Sequence, residues 1–325
     1  MHIVTIGIES ISIYTELQEN STTFPLYGIS NDDVSNKDEL QTSIIRLIEK
    51  HEKEHSVQVE EVQIICDILG HEIIKAPKLK ILHAPKDKLI THSFQMKTCK
   101  VYEVFNEKNL KILISCFTNI GINVEKVWSF FSIFSMNAQY LIDSQRIGVL
   151  HIAKQITLYT FDGAGSLKDI YQINRGLVDI IQYITLSTIA KFPHLTRRAV
   201  TLVLQHFVCF SELDMIEKIH NVKGVNKELM AVVNYETVKF ISNFLLRYIR
   251  QIWSDLNPPT NCQTIILYTQ KEFLNNIRDV LSMTATSEIV NMQKKWMKPN
   301  IQRKEKRGVL MDIIKLLFRR KKFYQ

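Results

Sequence analysis

The sequence predicts a mixed α/β fold built from two similar halves. The main observation is a pattern that occurs twice, in which three short predicted strands are followed by an amphipathic helix. The first copy covers residues 3–54 and the second covers residues 147–191. Two β-β-β-α units in one chain indicate an internal duplication, and their mixture of strands and helices is typical of the α/β class.

The first half opens with three predicted strands and a helix. The strands are Ile3–Ile8, Ser10–Glu16 and Phe24–Ile29. Helix Lys37–Glu54 follows, with its apolar residues on one face. The residues of that face are Leu40, Ile44, Leu47 and Ile48. The apolar run Val62–Leu69 is typical of a strand that is covered on both sides of the sheet.

A smaller α+β block separates the two halves. Its predicted strands are Ile81–Ala84, Leu89–Phe94 and Val101–Phe105, and its predicted helix is Asn109–Gly121. We interpret residues 77–126 as a small inserted subdomain. The first half then consists of residues 1–76 and 127–145.

The second half, residues 146–290, repeats the opening pattern. Its three strands are Ile147–Ile152, Gln155–Phe161 and Lys168–Ile173, with a hairpin turn predicted at residues 162–166. The helices Leu177–Lys191 and Tyr235–Leu256 and the strand Thr264–Tyr268 complete it.

Composition restricts the classes of protein that fit. With 46% hydrophobic and 23% charged residues, the chain is typical of a globular protein. It contains no apolar run of the length that crosses a bilayer, and its first residues predict a strand rather than a signal peptide. The five cysteines are scattered, which favours free thiols in a reducing cytosol. No Ser/His/Asp or Cys/His combination stands out, so we expect no catalytic site and no bound metal.

The positive charge is concentrated at the C-terminus. The net charge is +8, yet residues 294–325 hold twelve Lys or Arg against two carboxylates, which leaves the rest of the chain slightly negative. Residues 291–308 lack a sustained apolar period and contain Pro299 and Gly308, which is typical of a flexible basic linker.

Residues 309–325 predict a basic amphipathic helix. Apolar residues follow the spacing of one helical face, and basic residues lie near or opposite it. The apolar residues are Leu310, Ile313, Ile314, Leu317 and Phe318, and the basic ones are Lys315, Arg319, Arg320, Lys321 and Lys322. Such a helix lies in the headgroup region of an anionic membrane. Three alternatives stay open from the pattern alone: docking on the core of the same protein, binding of nucleic acid, and a calmodulin-type target helix. The flexible linker favours a membrane over docking, and the broad apolar face favours it over nucleic acid.

The order of these parts resembles the bacterial cell-division protein FtsA family, an actin-like family of membrane tethers. The segment Gly7-Ile8-Glu9 resembles the family's first phosphate loop, and Ile81-Leu82-His83 resembles the entry to its inserted subdomain. Residues 148–159, continuing to 165–168, resemble the second phosphate hairpin, and residues 216–236 match a further family segment. The resemblance implies an actin-like fold of duplicated β-β-β-α halves, with an inserted α+β subdomain and a C-terminal membrane-targeting helix at 309–325.

The nucleotide segments depart from the family pattern together. Phosphate loops need glycines, so that backbone N–H groups can approach the phosphate, and a carboxylate for hydrated Mg²⁺. Here Ser10 follows Glu9 without a glycine, His151 stands where the family has Asp, and Ala153 begins the stretch that replaces its glycine run. The adenosine-side glycines are replaced from Thr269 onward. We therefore expect weak or absent binding of ATP and Mg²⁺ and, more generally, no enzyme activity.

The resemblance also implies partners and a location. The family binds a tubulin-like GTPase polymer, the Z-ring of the divisome, through a subdomain inserted in its second half, here residues 193–233. Within it, Arg197 and Arg198 are candidates for pairing with the acidic peptide of such a polymer. The expected location is the bacterial cytoplasm, on the inner face of the cytoplasmic membrane at the division septum. Filament formation and other divisome proteins are further expected partners; nucleic acid is not. A functional actin-like ATPase of cell division and a pilus- or secretion-assembly scaffold of the same fold are the alternatives.

Overall fold

The computed structural model describes most of the chain up to residue 291. The described residues are 2–7, 10–15, 21–30, 33–66, 68–69, 71–77, 87–96, 99–141, 146–221, 233–258, 262–269 and 271–291. By their internal packing they divide into two units, Met1–Ala138 and Gln139–Gln293.

Unit 1 is built on a five-stranded mixed sheet. Its strands are β1 (His2–Ile6), β2 (Ser10–Thr15), β3 (Thr22–Pro25), β6 (Glu61–Cys66) and β10 (Asn123–Trp128), in the order β10-β6-β1-β2-β3. β1 pairs antiparallel with β2 and parallel with β6, which itself lies parallel to β10. Strand β6, which lies between β10 and β1, is buried at every residue after its first, as its apolar run predicts.

Helix α1 (Lys37–His55) covers this sheet. The short strands β4 (Ile29–Ser30) and β5 (Asp33–Val34) precede it. Its N-terminus is capped by Asn36, whose side chain accepts hydrogen bonds from the N–H groups of Asp38 and Glu39. The four apolar residues predicted for its inner face are all buried, so the predicted register is confirmed.

A second, three-stranded sheet lies between β6 and β10 in the chain. It consists of β7 (Glu72–Pro77), β8 (Lys88–Gln95) and β9 (Cys99–Asn106), in the antiparallel order β7-β9-β8. Helix α2 (Glu107–Thr118) follows β9 and packs against α1, and α3 (Phe130–Leu141) follows β10. Leu113 and Phe117 of α2 join Leu40 and Ile44 of α1 in one hydrophobic core.

Unit 2 repeats the topology of the five-stranded sheet. Its strands are β11 (Ile147–Ile152), β12 (Ile156–Phe161), β13 (Leu167–Ile173), β14 (Thr264–Thr269) and β15 (Glu288–Asn291), in the order β13-β12-β11-β14-β15. The first three strands are antiparallel neighbours, and β11, β14 and β15 run parallel. All residues of β11 and β12 are buried.

Five α-helices and a π-helical segment lie among the described residues of unit 2. The helices are α4 (Leu177–Lys191), α5 (Arg197–Leu202), α6 (Glu212–Asn221), α7 (Tyr235–Leu256) and α8 (Lys271–Ser282). The π-helical residues Val203–Phe207 directly follow α5. The bounds of α4 and α7 are those that the sequence predicts.

The two sheets share one topology, which confirms the predicted fold class of duplicated β-β-β-α halves. In each, three antiparallel strands are followed by a helix and then by parallel strands on the other side of the first strand. Within the described part of the chain, no helix has the length and apolar character needed to cross a membrane. The predicted strand Ile81–Ala84, the basic linker beyond Asn291 and the predicted helix at 309–325 lie outside the described residues, and Asn291 itself belongs to β15.

Candidate functional site

The first predicted phosphate turn joins β1 to β2 in unit 1. The Gly7 N–H donates a hydrogen bond of 2.9 Å to the carbonyl oxygen of Ser10, the first residue of β2. A Cβ placed on Gly7 would lie 3.2 Å from the same oxygen, so the turn is tight here. Glu9, the predicted metal-binding carboxylate, lies outside the described residues. The Gly7 amide is therefore used within the hairpin itself.

The second predicted phosphate turn joins β11 to β12 in unit 2. The Ala153 N–H donates to the carbonyl oxygen of Gln155 at 3.2 Å, which closes the turn on itself. The Ala153 carbonyl in turn accepts a hydrogen bond of 2.7 Å from the N–H of Leu177, the first residue of α4. The turn thus lies directly against the N-terminus of α4.

Gly176, the N-cap residue of α4, makes this contact sterically feasible. A Cβ at Gly176 would lie 2.0 Å from the carbonyl oxygen of Lys154 and 2.3 Å from that of Ala153, far inside contact distance. The Gly176 N–H also donates to the Asp179 carboxylate at 2.7 Å. A helix N-terminus attracts anions through its free N–H groups and its dipole. At α4, the chain's own carbonyl and carboxylate already accept from two of the amides at this end.

His151 and Thr269 lie side by side on neighbouring strands. His151 on β11 is opposite Tyr268 on β14, and their ring centroids are 5.1 Å apart. The Thr269 hydroxyl donates to the carbonyl oxygen of Ile152 at 2.8 Å, and both His151 and Thr269 are buried. The structure therefore brings His151, Ala153 and Thr269 together at one end of the β11–β14 pair, where Thr269 links the two strands. The other two described residues of the predicted nucleotide segments, Gly7 and Ser10, belong to unit 1 and not to this group.

Arg197 and Arg198 form the first turn of α5 and are both exposed. The Thr196 side chain caps this helix by accepting a hydrogen bond from the Ala199 N–H at 3.2 Å. The Arg197 backbone carbonyl accepts from the Thr201 hydroxyl at 3.0 Å. Both guanidinium groups are thus presented to solvent on a capped helix, as a partner-binding role would require.

Unit 1 contains a buried charged network that the sequence did not predict. Glu103 on β9 is fully buried and accepts hydrogen bonds from the hydroxyls of Ser129 and Ser132. His71 Nε2 and His92 Nδ1 lie 3.4 and 3.5 Å from its carboxylate oxygens. Burial alone would raise the pKa of the Glu103 carboxyl, but its contacts with both histidines and their charge lower this pKa to about 2.

This network brings together residues that no sequence motif links. Its members come from the residue before β7, from β8 and β9, and from the start of α3. Complete burial of the carboxylate keeps it away from any substrate in solution, so we assign it a structural role.

The sequence also gave no indication that two apolar helix faces of unit 2 are exposed. Leu213 and Ile216 lie on α6, and Tyr183 and Leu186 lie on α4; all four are large and exposed. Spacing of three residues is a signal for a helical face, but it predicts burial rather than exposure.

Comparison with solved structures shows the fold. The chain is similar to the PilM–PilN type IV pilus biogenesis complex, with a TM-score of 0.59 and 10% identity, over 90% of this chain and 88% of that one. It is also similar to the ethanolamine utilization protein EutJ from Carboxydothermus hydrogenoformans, with a TM-score of 0.50 and 10% identity, over 92% of this chain and 86% of that one. MreB5 of Spiroplasma citri bound to ADP gives a TM-score of 0.49 at 9% identity, over 91% and 92% of the two chains.

At these identities the similarity is one of fold, and the chain has the actin-like ATPase fold. No protein-family model matches the sequence, and no curated protein sequence matches it. The resemblance to the FtsA family in particular stays a prediction.

Proposed function

We propose that this protein is a non-catalytic actin-like scaffold that works at a membrane. Its C-terminal helix, residues 309–325, binds the anionic inner leaflet of the bacterial cytoplasmic membrane. Its folded body binds the tubulin-like GTPase polymer of the division septum and recruits other divisome proteins. The domain boundaries stated for the sequence, with inserted subdomains at 77–126 and 193–233, are part of this proposal.

The contact between the β11–β12 turn and α4 is the observation that supports a scaffold over an ATPase. The Ala153 carbonyl and the Asp179 carboxylate accept hydrogen bonds from Leu177 and Gly176 at the N-terminus of α4. Negatively polarised groups at this point oppose a nucleotide phosphate, because both compete for the same end of the helix dipole. Ser10, Ala153 and Thr269 also lack the glycine neighbours of a phosphate loop.

Nucleotide binding is the direct test of the non-catalytic part. Isothermal titration with Mg-ATP at millimolar concentration should show no saturable heat, and the melting temperature should be unchanged. Ligand at one hundred times its Kd would stabilise a binding protein by about 2.7 kcal/mol, which is a shift of several degrees. A saturable titration, or a shift of that size, would favour the functional ATPase instead.

Arg197 and Arg198 are the proposed contact for the polymer. Both are exposed on α5, within the subdomain proposed for residues 193–233. Their change to Ala should weaken co-sedimentation with the tubulin-like polymer, with a larger loss at low salt, because exposed charge pairs are screened by ions. Arg247 and Arg250, exposed on α7, provide a matched double-Ala control. Equal losses in both double variants would contradict a specific site on α5.

The similarity to the PilM–PilN complex favours a second candidate, a scaffold of pilus or secretion assembly. That structure is described as a type IV pilus biogenesis complex, and its TM-score of 0.59 exceeds the others given above. The two candidates differ in partner. A division scaffold should sediment with a tubulin-like polymer, whereas an assembly scaffold should instead bind a cytoplasmic peptide of a membrane partner.

A further inference from the structure

Helix α6 exposes an apolar face with carboxylates beside it. Leu213 is 81% exposed and Ile216 is 47% exposed, and they lie one helical turn apart. Glu212 and Glu217 flank them and are exposed as well. Met215 points the opposite way and is buried, which fixes how α6 sits on unit 2. We call the surface of Glu212, Leu213, Ile216 and Glu217 the α6 face.

A second apolar surface of unit 2 differs in the sign of its charges. Tyr183 and Leu186 are exposed on α4, one helical turn apart. The ring of Tyr183 lies 6.2 Å from that of Phe244 on α7, and the rings of Phe244 and Phe240 are 4.6 Å apart. The Lys191 ammonium lies 4.5 Å from the centre of the Phe240 ring. This surface, the α4–α7 face, therefore has a cation in contact with its aromatic rings. The two charged residues of the α6 face, Glu212 and Glu217, are both acidic.

The occupant that fits the α6 face must be apolar on one side and positively charged around it. Residues 309–325 of the same chain have this pattern, with Leu317 and Phe318 on the apolar side and Arg319 and Lys322 nearby. An acidic peptide would be repelled by Glu212 and Glu217, and a basic segment would be repelled at Lys191 on the α4–α7 face. We propose that the C-terminal helix docks reversibly on the α6 face.

The chain is long enough for this contact. β15 ends at Asn291, in the same unit as α6. The basic linker of about 17 residues spans up to about 55 Å when extended. A unit of about 150 residues has a diameter of about 40 Å, so the linker reaches most of its surface. The effective concentration of a segment held by such a linker is millimolar, which makes even a weak contact well populated.

Docking would keep the helix from the membrane until anionic lipid competes for it. The same apolar residues cannot contact Leu213 and Ile216 and also lie among lipid chains. This consequence rests on the proposed membrane role of residues 309–325, whereas the docking contact can be measured without lipid. The docking contact and the membrane role can therefore be refuted independently of each other.

Hydrogen exchange of the full-length protein, without lipid, tests the contact. At millimolar effective concentration, a docking Kd of about 0.1 mM would slow amide exchange in residues 309–325 about tenfold. Changing Leu213→Ser together with Ile216→Ser should return these amides to the unprotected rate. Both side chains are exposed, so the melting temperature of the body should be retained. Leu186→Ser, at an exposed residue of the α4–α7 face, is the matched control and should leave the protection intact.

Vesicles of phosphatidylglycerol and phosphatidylcholine then test the consequence. If the docked state outnumbers the undocked state by about ten to one, releasing the helix should raise the vesicle affinity of the α6 double variant about tenfold. The vesicle affinity of the control variant should not change. Unprotected amides in the native chain, or protection that survives the α6 changes, would overturn the proposal. Protection that grows with protein concentration would also overturn it, because the helix would then dock on a second copy. If neither protein binds vesicles but protection is lost as expected, the docking stands and the membrane function fails.

Discussion

Replacing Glu103 with Gln removes the buried charge of unit 1 and keeps the side-chain shape. The native carboxylate is fully buried and accepts from two serine hydroxyls, with His71 and His92 beside it. Removal of one member of a buried charged network is costly, because the remaining polar groups stay buried without their partner. We therefore expect Glu103→Gln to fold but to be clearly less stable.

The lowered pKa of Glu103 sets the size of the effect and its dependence on pH. The pKa falls from 4.5 to about 2 on folding, because the histidine contacts outweigh the opposing effect of burial. A difference of this size corresponds to roughly 3 kcal/mol of stability at neutral pH. Since the folded pKa is the lower one, this stability is present above pH 4.5 and is lost as the pH falls from 4.5 through about 2.

Urea unfolding at several pH values between 7 and 2 measures both quantities, with hydrogen exchange of β8 and β9 as the local probe. Glu103→Gln should lose roughly 3 kcal/mol at pH 7 and show a flatter pH dependence below pH 4.5. Glu72→Gln, on the partly exposed Glu72–Lys88 pair of β7 and β8, is the control and should cost less than about 1 kcal/mol. The prediction is refuted if Glu103→Gln loses as little stability as the control. It is also refuted if the free energy of unfolding of Glu103→Gln falls below pH 4.5 as steeply as that of the native protein.

Three further changes test other parts of the molecule. Gly176→Ala should cost about 3 kcal/mol in denaturant unfolding, because its Cβ would meet two backbone carbonyls, whereas Gly121→Ala, with open space around it, should cost only about 1 kcal/mol. Thr269→Val removes the hydrogen bond to Ile152 and should cost about 1–2 kcal/mol; an unchanged unfolding midpoint would contradict the strand link. Changing Leu317 and Phe318 both to Glu should lower sedimentation with anionic vesicles more than about a hundredfold, without lowering the melting temperature of the body.

Most of the regular structure could be predicted because its signal is local. The antiparallel strands at 147–173 and helices α4 and α7 follow from apolar spacing and turns within a few residues of each element. The repeated order of these elements then indicates the duplicated fold. Strands β4, β5, β7, β10 and β15 and helices α3, α5, α6 and α8 were missed. In the four-residue strand β15, only Ile289 is buried, so its pattern is weak.

Only some features of the candidate site can be predicted from neighbouring residues in the sequence. The sequence identified Ala153 as the start of a stretch that replaces a glycine run, and this needs no structure. The role of Gly176 could not be read in the same way, because it depends on two carbonyl oxygens more than twenty residues earlier in the chain. Arg197 and Arg198 were predicted as a binding pair, and their exposure became known only from the position of α5.

The sequence by itself determined most of the strand and helix pattern and its repetition, the basic C-terminus and the degraded phosphate segments, because each of these signals lies in neighbouring residues. Tertiary structure decided which side chains are enclosed and which remain at the surface. It buries Glu103, a residue type that is normally exposed, because serines and histidines from three other parts of the chain surround it. It leaves Leu213 and Ile216 exposed because α6 packs through its opposite side. Burial is set by contacts between residues far apart in the chain, which periodicity does not encode.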